Sequence, residues 1–155
     1  MALPDERHPL YFEDFSVGDV IQGGEAYVVT KEDIIEFAEK WDPHPFHTNE
    51  ESARSSIFKG LAAPAAMIVA IAGWLWHRAD RKPCLVAGLG WDEVRFLEPV
   101  RPGDILSIKY ECTDARPSSG RRDCGVICTE VTVTNQRGVR VLTLRDGYLV
   151  KKRET

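Results

Sequence analysis

Apolar and polar residues along the first third of the chain predict two short strand segments followed by a helix. Val20-Ile21 and residues 26–30 each follow glycine-containing turns, as strands commonly do. Thr30, with an aspartate three residues later, has the pattern of a helix N-cap. The residues after it repeat at helical spacing, namely Ile34, Ile35, Phe37, Ala38 and Trp41. Pro43 and Pro45 predict that this helix ends at residues 41–42 and that a rigid loop follows.

A longer helix is predicted in an almost continuous apolar run, residues 62–76. Pro64 stands in the first turn, where proline is tolerated, and the helix is expected to extend to about Ala79. Apolar residues lie on nearly all of its sides, which predicts burial against a sheet. Trp74 and Trp76 are interpreted as core residues of this helix. The run is shorter than the roughly 20 residues that cross a bilayer, so no membrane partner is predicted.

The second half of the chain is predicted to form strands. Four segments rich in valine, isoleucine, threonine and tyrosine are separated by turn-forming residues; they are 85–97, 104–113, 124–135 and 139–150. A short helix from Asn49 to about Ser55 completes the set of elements. Helices that precede a run of strands are typical of the α+β class. We therefore expect a four-stranded antiparallel meander packed around the long helix.

Length and charge favour a single globular domain over residues 1–155. The chain has 155 residues, of which 20 are Lys or Arg and 24 are Asp or Glu, giving a net charge of −4. It carries no basic stripe that could neutralise a row of phosphates. A nucleic-acid partner is therefore not predicted.

The N-terminus and the cysteines indicate the cellular compartment. The first nine residues lack the basic and apolar regions of a secretory signal, which predicts a cytoplasmic protein. The four cysteines form no Cys-x-x-Cys pair. They are predicted to be reduced, structural thiols.

One short segment between the first two predicted helices concentrates polar chemistry. Asp42, His44 and His47 are separated by Pro43 and Pro45, which restrict the backbone and lower the entropy lost when the side chains are ordered. A carboxylate and an imidazole that meet at one water molecule can remove its proton and return a proton to a neighbouring carbon. Two other interpretations stay open. One is ordinary turn and cap chemistry, and the other is an Asp-x-His-x-x-His metal site, for which no fourth ligand stands nearby.

The same segment carries a family resemblance. Residues 42–49 read D-P-H-P-F-H-T-N and resemble the D-x-N-P-x-H-x-D signature of the MaoC-like acyl dehydratases and R-specific enoyl-CoA hydratases. Further stretches that resemble this family cover most of the chain; they are 11–19, 53–58, 90–96, 99–104 and 135–138. The resemblance implies one hot-dog domain, an α+β fold in which an antiparallel sheet wraps around a long central helix.

The resemblance also implies a reaction and the residues that perform it. Asp42 and His47 would be the catalytic pair, holding the water that adds across the double bond of a 2-enoyl-CoA or leaves in the reverse direction. Pro64 and Ala65 stand where the family has a His-Gly step. The backbone N–H of Ala65 would therefore meet the negative charge that develops on the thioester oxygen. His44, Phe46 and Pro64 would contact the substrate.

The enzyme implied by the resemblance is a hydro-lyase that needs no metal and no redox cofactor. Coenzyme A would enter as part of the acyl-CoA substrate. The family also implies a homodimer in which two sheets join edge to edge, and a higher homo-oligomer stays open. Such pairing would cover a strand that is otherwise exposed at the edge of the sheet.

The chain departs from the family pattern at several positions. His44 stands in place of asparagine, Asn49 in place of aspartate, and Trp41 in place of glycine. Together with Pro64, these departures leave two alternatives to the hydratase. One is an acyl-CoA thioesterase, and the other is a hot-dog protein that binds acyl-CoA without catalysis.

Overall fold

The structure, a computed structural model, describes residues 9–154 and contains four α-helices, one short 3₁₀ helix (Phe12–Asp14) and six strands within that range. The helices are α1 (Lys31–Trp41), α2 (Pro45–Thr48), α3 (Glu50–Arg54) and α4 (Ala65–Trp76). The strands are β1 (Val20–Gln22), β2 (Tyr27–Val28), β3 (Leu85–Phe96), β4 (Ile105–Pro117), β5 (Cys124–Thr134) and β6 (Arg140–Lys151). The first nine residues, in which no secretory signal is predicted, lie outside the described residues except for Pro9.

Helix α1 confirms the helix predicted from periodicity. The Thr30 hydroxyl accepts a hydrogen bond from the Asp33 N–H at 3.1 Å, which caps the first turn. The helix ends at Trp41, immediately before the two prolines. The loop predicted after it contains a single helical turn, α2, because Pro45 occupies its first position, where proline is favourable. Asn49 caps α3, as predicted, by accepting from the Ser52 N–H.

The sheet order corrects the predicted meander at one strand. The strands run β1-β4-β5-β6-β3, all paired antiparallel, with β2 also on β4. Strands β4, β5 and β6 form a meander, but β3 pairs with β6 instead of β4. The connection between β3 and β4, residues 97–104, is too long for a tight hairpin and spans the width of two intervening strands.

Helix α4 packs across the concave face of this sheet, which confirms the hot-dog arrangement. Met67, Ile68, Ile71 and Leu75 of the helix share one apolar core with inward-facing residues of three strands, among them Leu106, Ile108, Val131, Val133, Leu142 and Leu144. This helix is the main contact of the sheet with the helical half of the chain. Its burial therefore fixes the position of its N-terminus relative to the sheet.

Two expectations for α4 are wrong in detail. The helix ends at Trp76 and not near Ala79, because the chain turns there through bonds from Arg78 to Leu75 and from Ala79 to Trp76. Pro64 precedes the helix as its N-cap instead of lying in its first turn. One side of α4 is also uncovered, with Ala65, Ala66, Ala70 and Gly73 exposed, because the single sheet covers only the opposite side.

Strand β3 forms one edge of the sheet and is exposed along almost its whole length. Its exposed apolar side chains include Leu85, Val86, Leu89, Trp91 and Phe96. Pairing with β6 shifts register between Gly88 and Gly90, an irregularity of the kind that glycine permits within a strand. The edge is therefore long and apolar, a combination that proteins normally cover.

The four cysteines are free thiols, as predicted: Cys112 and Cys124 are buried, and Cys84 and Cys128 are partly exposed. Among residues 9–154, none of the helices is both long enough and apolar enough to span a membrane.

Candidate active site

Asp42 and His47 face each other across the turn that joins α1 to α2. Asp42 ends α1, with its N–H bonded to the carbonyl of Ala38 at 2.9 Å, and its own carbonyl accepts from the His44 N–H at 2.7 Å. The side-chain atoms Oδ2 of Asp42 and Nε2 of His47 lie 3.6 Å apart. This separation is too long for a direct hydrogen bond. Both atoms can instead bond to a third atom placed between them on the open side.

The partner of the other ring nitrogen sets the tautomer of the neutral His47 ring. Its Nδ1 atom lies 2.6 Å from the carbonyl oxygen of Ala62. A carbonyl oxygen only accepts, so Nδ1 carries a proton and donates it, and in the neutral ring Nε2 holds the lone pair. The His47 side chain is 9% exposed and that of Asp42 is 49% exposed. A buried base therefore faces a carboxylate that solvent or a ligand can reach.

His44 and Phe46 are predicted to contact the substrate. In the structure their rings pack next to His47. The His44 and Phe46 rings stack with centroids 3.7 Å apart, and Phe46 meets His47 edge-on at 4.5 Å. Phe58 lies on the other side of Phe46 at 5.0 Å. These rings limit the rotation of the imidazole. His44 is exposed, so contact with a ligand stays a prediction for it.

The segment that enters α4 is bonded to the same turn. Ala62 donates its N–H to the carbonyl of Phe46 at 3.3 Å, while its carbonyl accepts from His47. The next residue, Ala63, donates to the carbonyl of Val100 at 2.8 Å. His47 is thus fixed to a segment that begins α4 three residues later, at Ala65.

The first turn of α4 presents free backbone amides. The first bond within this helix runs from the Ile68 N–H to the Pro64 carbonyl at 3.2 Å, so the N–H groups of residues 65–67 have no partner inside the helix. Ala65 is exposed. The partial positive charge of a helix N-terminus adds to these amides and favours an anionic oxygen there. Pro64 lacks an N–H, but the amide of Ala65 is unaffected by that loss.

Sequence analysis missed the residues that hold this segment. The Arg101 guanidinium donates to the carbonyls of Phe58 and Leu61, the latter at 3.5 Å. The buried Asp104 carboxylate accepts from the Arg101 N–H at 2.9 Å and so shapes the turn from which Arg101 extends. The Pro-Gly pair at 102–103 signals a turn, but nothing local indicates the distant carbonyls that the arginine reaches.

A second polar cluster, also missed, lies between α4 and the β3–β6 edge of the sheet. A cavity of about 230 Å³ is lined there by residues that include Trp76, His77, Trp91, Asp146 and Tyr148. Burial raises the pKa of Asp146 to about 6, an effect that a hydrogen bond from the Trp91 side chain partly offsets. The available signal was an aspartate on the same face of β6 as the apolar residues Leu142, Leu144, Tyr148 and Val150.

The structure does not bring Asp42, His44 and His47 together as a set of metal ligands. The His44 and His47 ring centroids lie 6.4 Å apart with the rings nearly perpendicular. Within residues 9–154, no three His, Cys, Asp or Glu side chains are grouped so that they could share an ion. The chemistry open to this site is therefore acid–base chemistry by the Asp42–His47 pair next to free amides.

Comparison with known proteins identifies relatives of this chain. A family model for the MaoC like domain matches residues 14–135. The uncharacterized protein YdeM from Bacillus subtilis is 29% identical over 141 residues, which cover 90% of this chain and 98% of that protein. A 3-hydroxybutyryl-CoA dehydratase from Methylorubrum extorquens is 30% identical over 149 residues, covering 90% of this chain and 88% of that protein.

Among solved structures, a MaoC-like dehydratase from Rhodospirillum rubrum superimposes with a TM-score of 0.85 and 32% sequence identity. The match covers 94% of this chain and 99% of that one. The likeness therefore extends over nearly the whole of both chains.

Proposed function

Because the chain belongs to the MaoC-like domain family, we propose that it is a hydro-lyase that adds water to a 2-enoyl-CoA or removes it in the reverse direction. The observation that carries the proposal is the 3.6 Å approach of Asp42 Oδ2 to His47 Nε2, next to the segment that begins α4. The relative named 3-hydroxybutyryl-CoA dehydratase supports the choice of an acyl-CoA substrate.

In the hydration direction, the water lies between Asp42 and His47. The lone pair of His47 Nε2 takes a proton from the water, while Asp42 accepts the second hydrogen bond and orients the oxygen. The water oxygen forms a bond to carbon 3 of the enoyl group, and the electrons of the double bond move toward the thioester oxygen. A proton then passes from the pair to carbon 2, which leaves a 3-hydroxyacyl thioester and restores both side chains.

The negative charge that develops on the thioester oxygen meets the N–H of Ala65. Ala65 is exposed at the first position of α4, where its amide needs no displacement of a helical bond before it can donate. Removing one such donor from an oxyanion site typically costs two to three orders of magnitude in kcat. No metal and no redox cofactor enters the proposed reaction, and coenzyme A is the carrier part of the substrate.

Two of the departures from the family pattern are compatible with activity. Asn49 caps α3 through its side-chain oxygen, a role that asparagine and aspartate fill about equally well. Pro64 precedes the amide that the reaction needs, so its missing N–H removes no donor at Ala65. His44 stacks on Phe46, which in turn contacts the base, and this favours a role in holding His47.

We further propose that two copies pair through β3. Edge strands with exposed N–H and C=O groups invite pairing, and β3 adds apolar side chains on its surface. The uncovered side of α4 is a second apolar surface that a partner would bury. The free cysteines fit a reducing compartment, and a cytoplasmic homodimer, with the whole chain as one domain, is part of this proposal.

A spectrophotometric assay tests the reaction. We expect the wild-type chain to bleach the absorbance of crotonyl-CoA or a longer 2-enoyl-CoA, and Asp42→Asn to abolish most of this activity. Glu39→Gln, which changes an exposed carboxylate on α1, is the matched control and should retain it. Release of free thiol would identify a thioesterase instead. Saturable binding with neither signal would identify a non-catalytic acyl-CoA-binding protein.

A further inference from the structure

We propose that the cavity between α4 and the β3–β6 edge binds a hydroxyl group at the distal end of the acyl chain. The substrate class would then be 2-enoyl thioesters that carry a hydroxyl far from the thioester. This inference rests on the proposed function, because it assigns the far end of the same substrate.

The cavity is an apolar space that contains one carboxylate. Asp146 lies on β6, where side chains alternate between the two faces of the sheet. The residues two and four positions away on the same face, Leu142, Leu144, Tyr148 and Val150, are all buried. Asp146 thus occupies a position at which the strand otherwise presents core residues.

Asp146 has no cation to balance it. None of the ion pairs within residues 9–154 includes it, and its hydrogen bond comes from the side chain of Trp91, its neighbour across the β3–β6 pairing. A half-buried carboxylate without a cationic partner costs folding free energy. Such unfavourable groups in cavities are candidates for ligand contacts, because a ligand that donates a hydrogen bond offsets the cost.

Two residues of the same lining have buried polar atoms. These are the Nε1 atom of Trp76 and the hydroxyl oxygen of Tyr148. The rings of Trp76 and Tyr148 meet edge-on with centroids 6.2 Å apart, and both residues line the cavity. The hydroxyl of Thr129, in register with Asp146 on β5, is also buried and interacts with the Tyr148 hydroxyl, so the indole N–H of Trp76 is the donor of this cluster with no partner among the described residues.

The donor and acceptor chemistry of this cluster selects the ligand group. A carboxylate only accepts hydrogen bonds and an indole N–H only donates them. A hydroxyl can donate to Asp146 and also accept from Trp76 or Tyr148. A saturated chain end can do neither, and a carboxylate would be repelled by Asp146. An ammonium group would pair with Asp146 but would leave the indole N–H of Trp76 without an acceptor, whereas a hydroxyl satisfies both groups.

The cavity lies at a suitable distance from the proposed reaction site. Its lining on α4 runs from Val69 to His77, whereas the amide assigned to the thioester oxygen is at Ala65. At 1.5 Å per residue, the lining lies about 6 to 18 Å along the helix axis from Ala65. An acyl chain that follows the uncovered side of α4 from its N-terminus would bring its distal end there.

Matched substrate pairs test the proposal. Wild-type protein is assayed with 2-hexenoyl-CoA and 2-octenoyl-CoA, and with the analogues that carry a hydroxyl on the last carbon. We expect kcat/KM to be at least about tenfold higher for the hydroxylated member of one pair. Asp146→Leu should remove or reverse this preference, and Asp146→Asn should keep part of it, because the amide oxygen still accepts. Glu130→Leu, an exposed carboxylate on β5, should leave the preference unchanged.

The outcomes separate this inference from the proposed function. Equal kcat/KM within every pair, or a preference that survives Asp146→Leu, overturns the inference while hydration of the plain substrates upholds the function. If no enoyl-CoA is hydrated, binding of saturated acyl-CoA esters with and without the terminal hydroxyl is measured by calorimetry. Tighter binding of the hydroxylated ester that depends on Asp146 would support the cavity assignment without the reaction, and its absence would overturn both.

Discussion

The Nδ1 atom of His47 and the carbonyl oxygen of Ala62, 2.6 Å apart, form the bond that ties the proposed base to the start of α4. This one contact fixes the tautomer of the imidazole and points its lone pair toward Asp42. The carbonyl belongs to a segment that Arg101 holds from the other side through Leu61. Hydrogen bonds therefore hold the base and the segment that leads into Ala65, residues 61–63.

Asp42→Asn is expected to lower turnover by about 10²- to 10⁴-fold, the usual contribution of a positioned acid–base group. The side chain is half exposed and makes no bond shorter than its 3.6 Å approach to His47, so stability should change by less than about 0.5 kcal/mol. Steady-state kinetics and urea unfolding measure the two effects. Turnover at the wild-type rate in the folded variant would remove Asp42 from the site.

His47→Ala should lose both turnover and stability. The substitution leaves the buried carbonyl of Ala62 without its donor, which costs about 1–3 kcal/mol. The free energy of unfolding should therefore separate this variant from Asp42→Asn, although both are inactive. Equal stability of the two variants would contradict the hydrogen bond described for Nδ1.

Ala65→Pro removes the proposed oxyanion donor with little expected change in fold. Proline suits the first position of a helix, and Pro64 already has the extended backbone, φ −57° and ψ 145°, that a following proline requires. We expect kcat to fall about 10²- to 10³-fold and KM to change much less. Ala65→Ser, which keeps the N–H, is the control. An unchanged kcat in a folded Ala65→Pro protein would exclude this amide.

Titration of Asp146 should make the protein less stable as the pH rises. Its pKa is raised from 3.8 to about 6 by burial, so the folded state holds this proton more tightly than the unfolded chain. The stabilising contribution is complete below pH 4 and is lost as the pH passes 6. Asp146→Asn should remove this part of the pH dependence and add about 1–2 kcal/mol at pH 7, a value reduced for partial exposure. Urea unfolding from pH 4 to 8 measures it, and parallel curves for the two proteins would contradict the assignment.

A charge on the exposed edge should prevent pairing of two copies. Leu89 is 56% exposed on β3, and Leu89→Lys places an ammonium group where a second strand would pack. Sedimentation equilibrium should give a dimer for the wild type and a monomer for this variant. Val17→Lys changes a residue that is 67% exposed in a turn and should remain dimeric. A monomeric wild type would refute the proposed dimer.

The sequence predicts best those features that depend on neighbouring residues. The start and end of α1 follow from Thr30 and the prolines, and the hairpin at 135–138 follows from its glycine, which has φ +74°. The partner of β3 could not be predicted, because pairing with β6 and pairing with β4 bury similar residues. Arg101 was missed because the carbonyls to which it donates, those of Phe58 and Leu61, lie about 40 residues away in the sequence.

The candidate site was predicted in part. The family resemblance indicated that Asp42 and His47 act together, whereas the residues alone left turn chemistry open and made a metal site the least favoured interpretation. Asp146 shows a different limit. The alternation of side chains along β6 assigns each residue to one of the two faces of the strand. Only the packing of α4, however, shows that the Asp146 carboxylate faces the cavity and not the solvent.

The open edge of β3 has a consequence for how the protein should be handled. If folding and pairing are coupled, dilution favours unfolding by mass action, and the melting temperature should rise with protein concentration. A melting temperature quoted for this molecule would then need its concentration beside it. Activity should likewise be measured over a range of enzyme concentrations, because dilution would shift the population from assembled to separated chains.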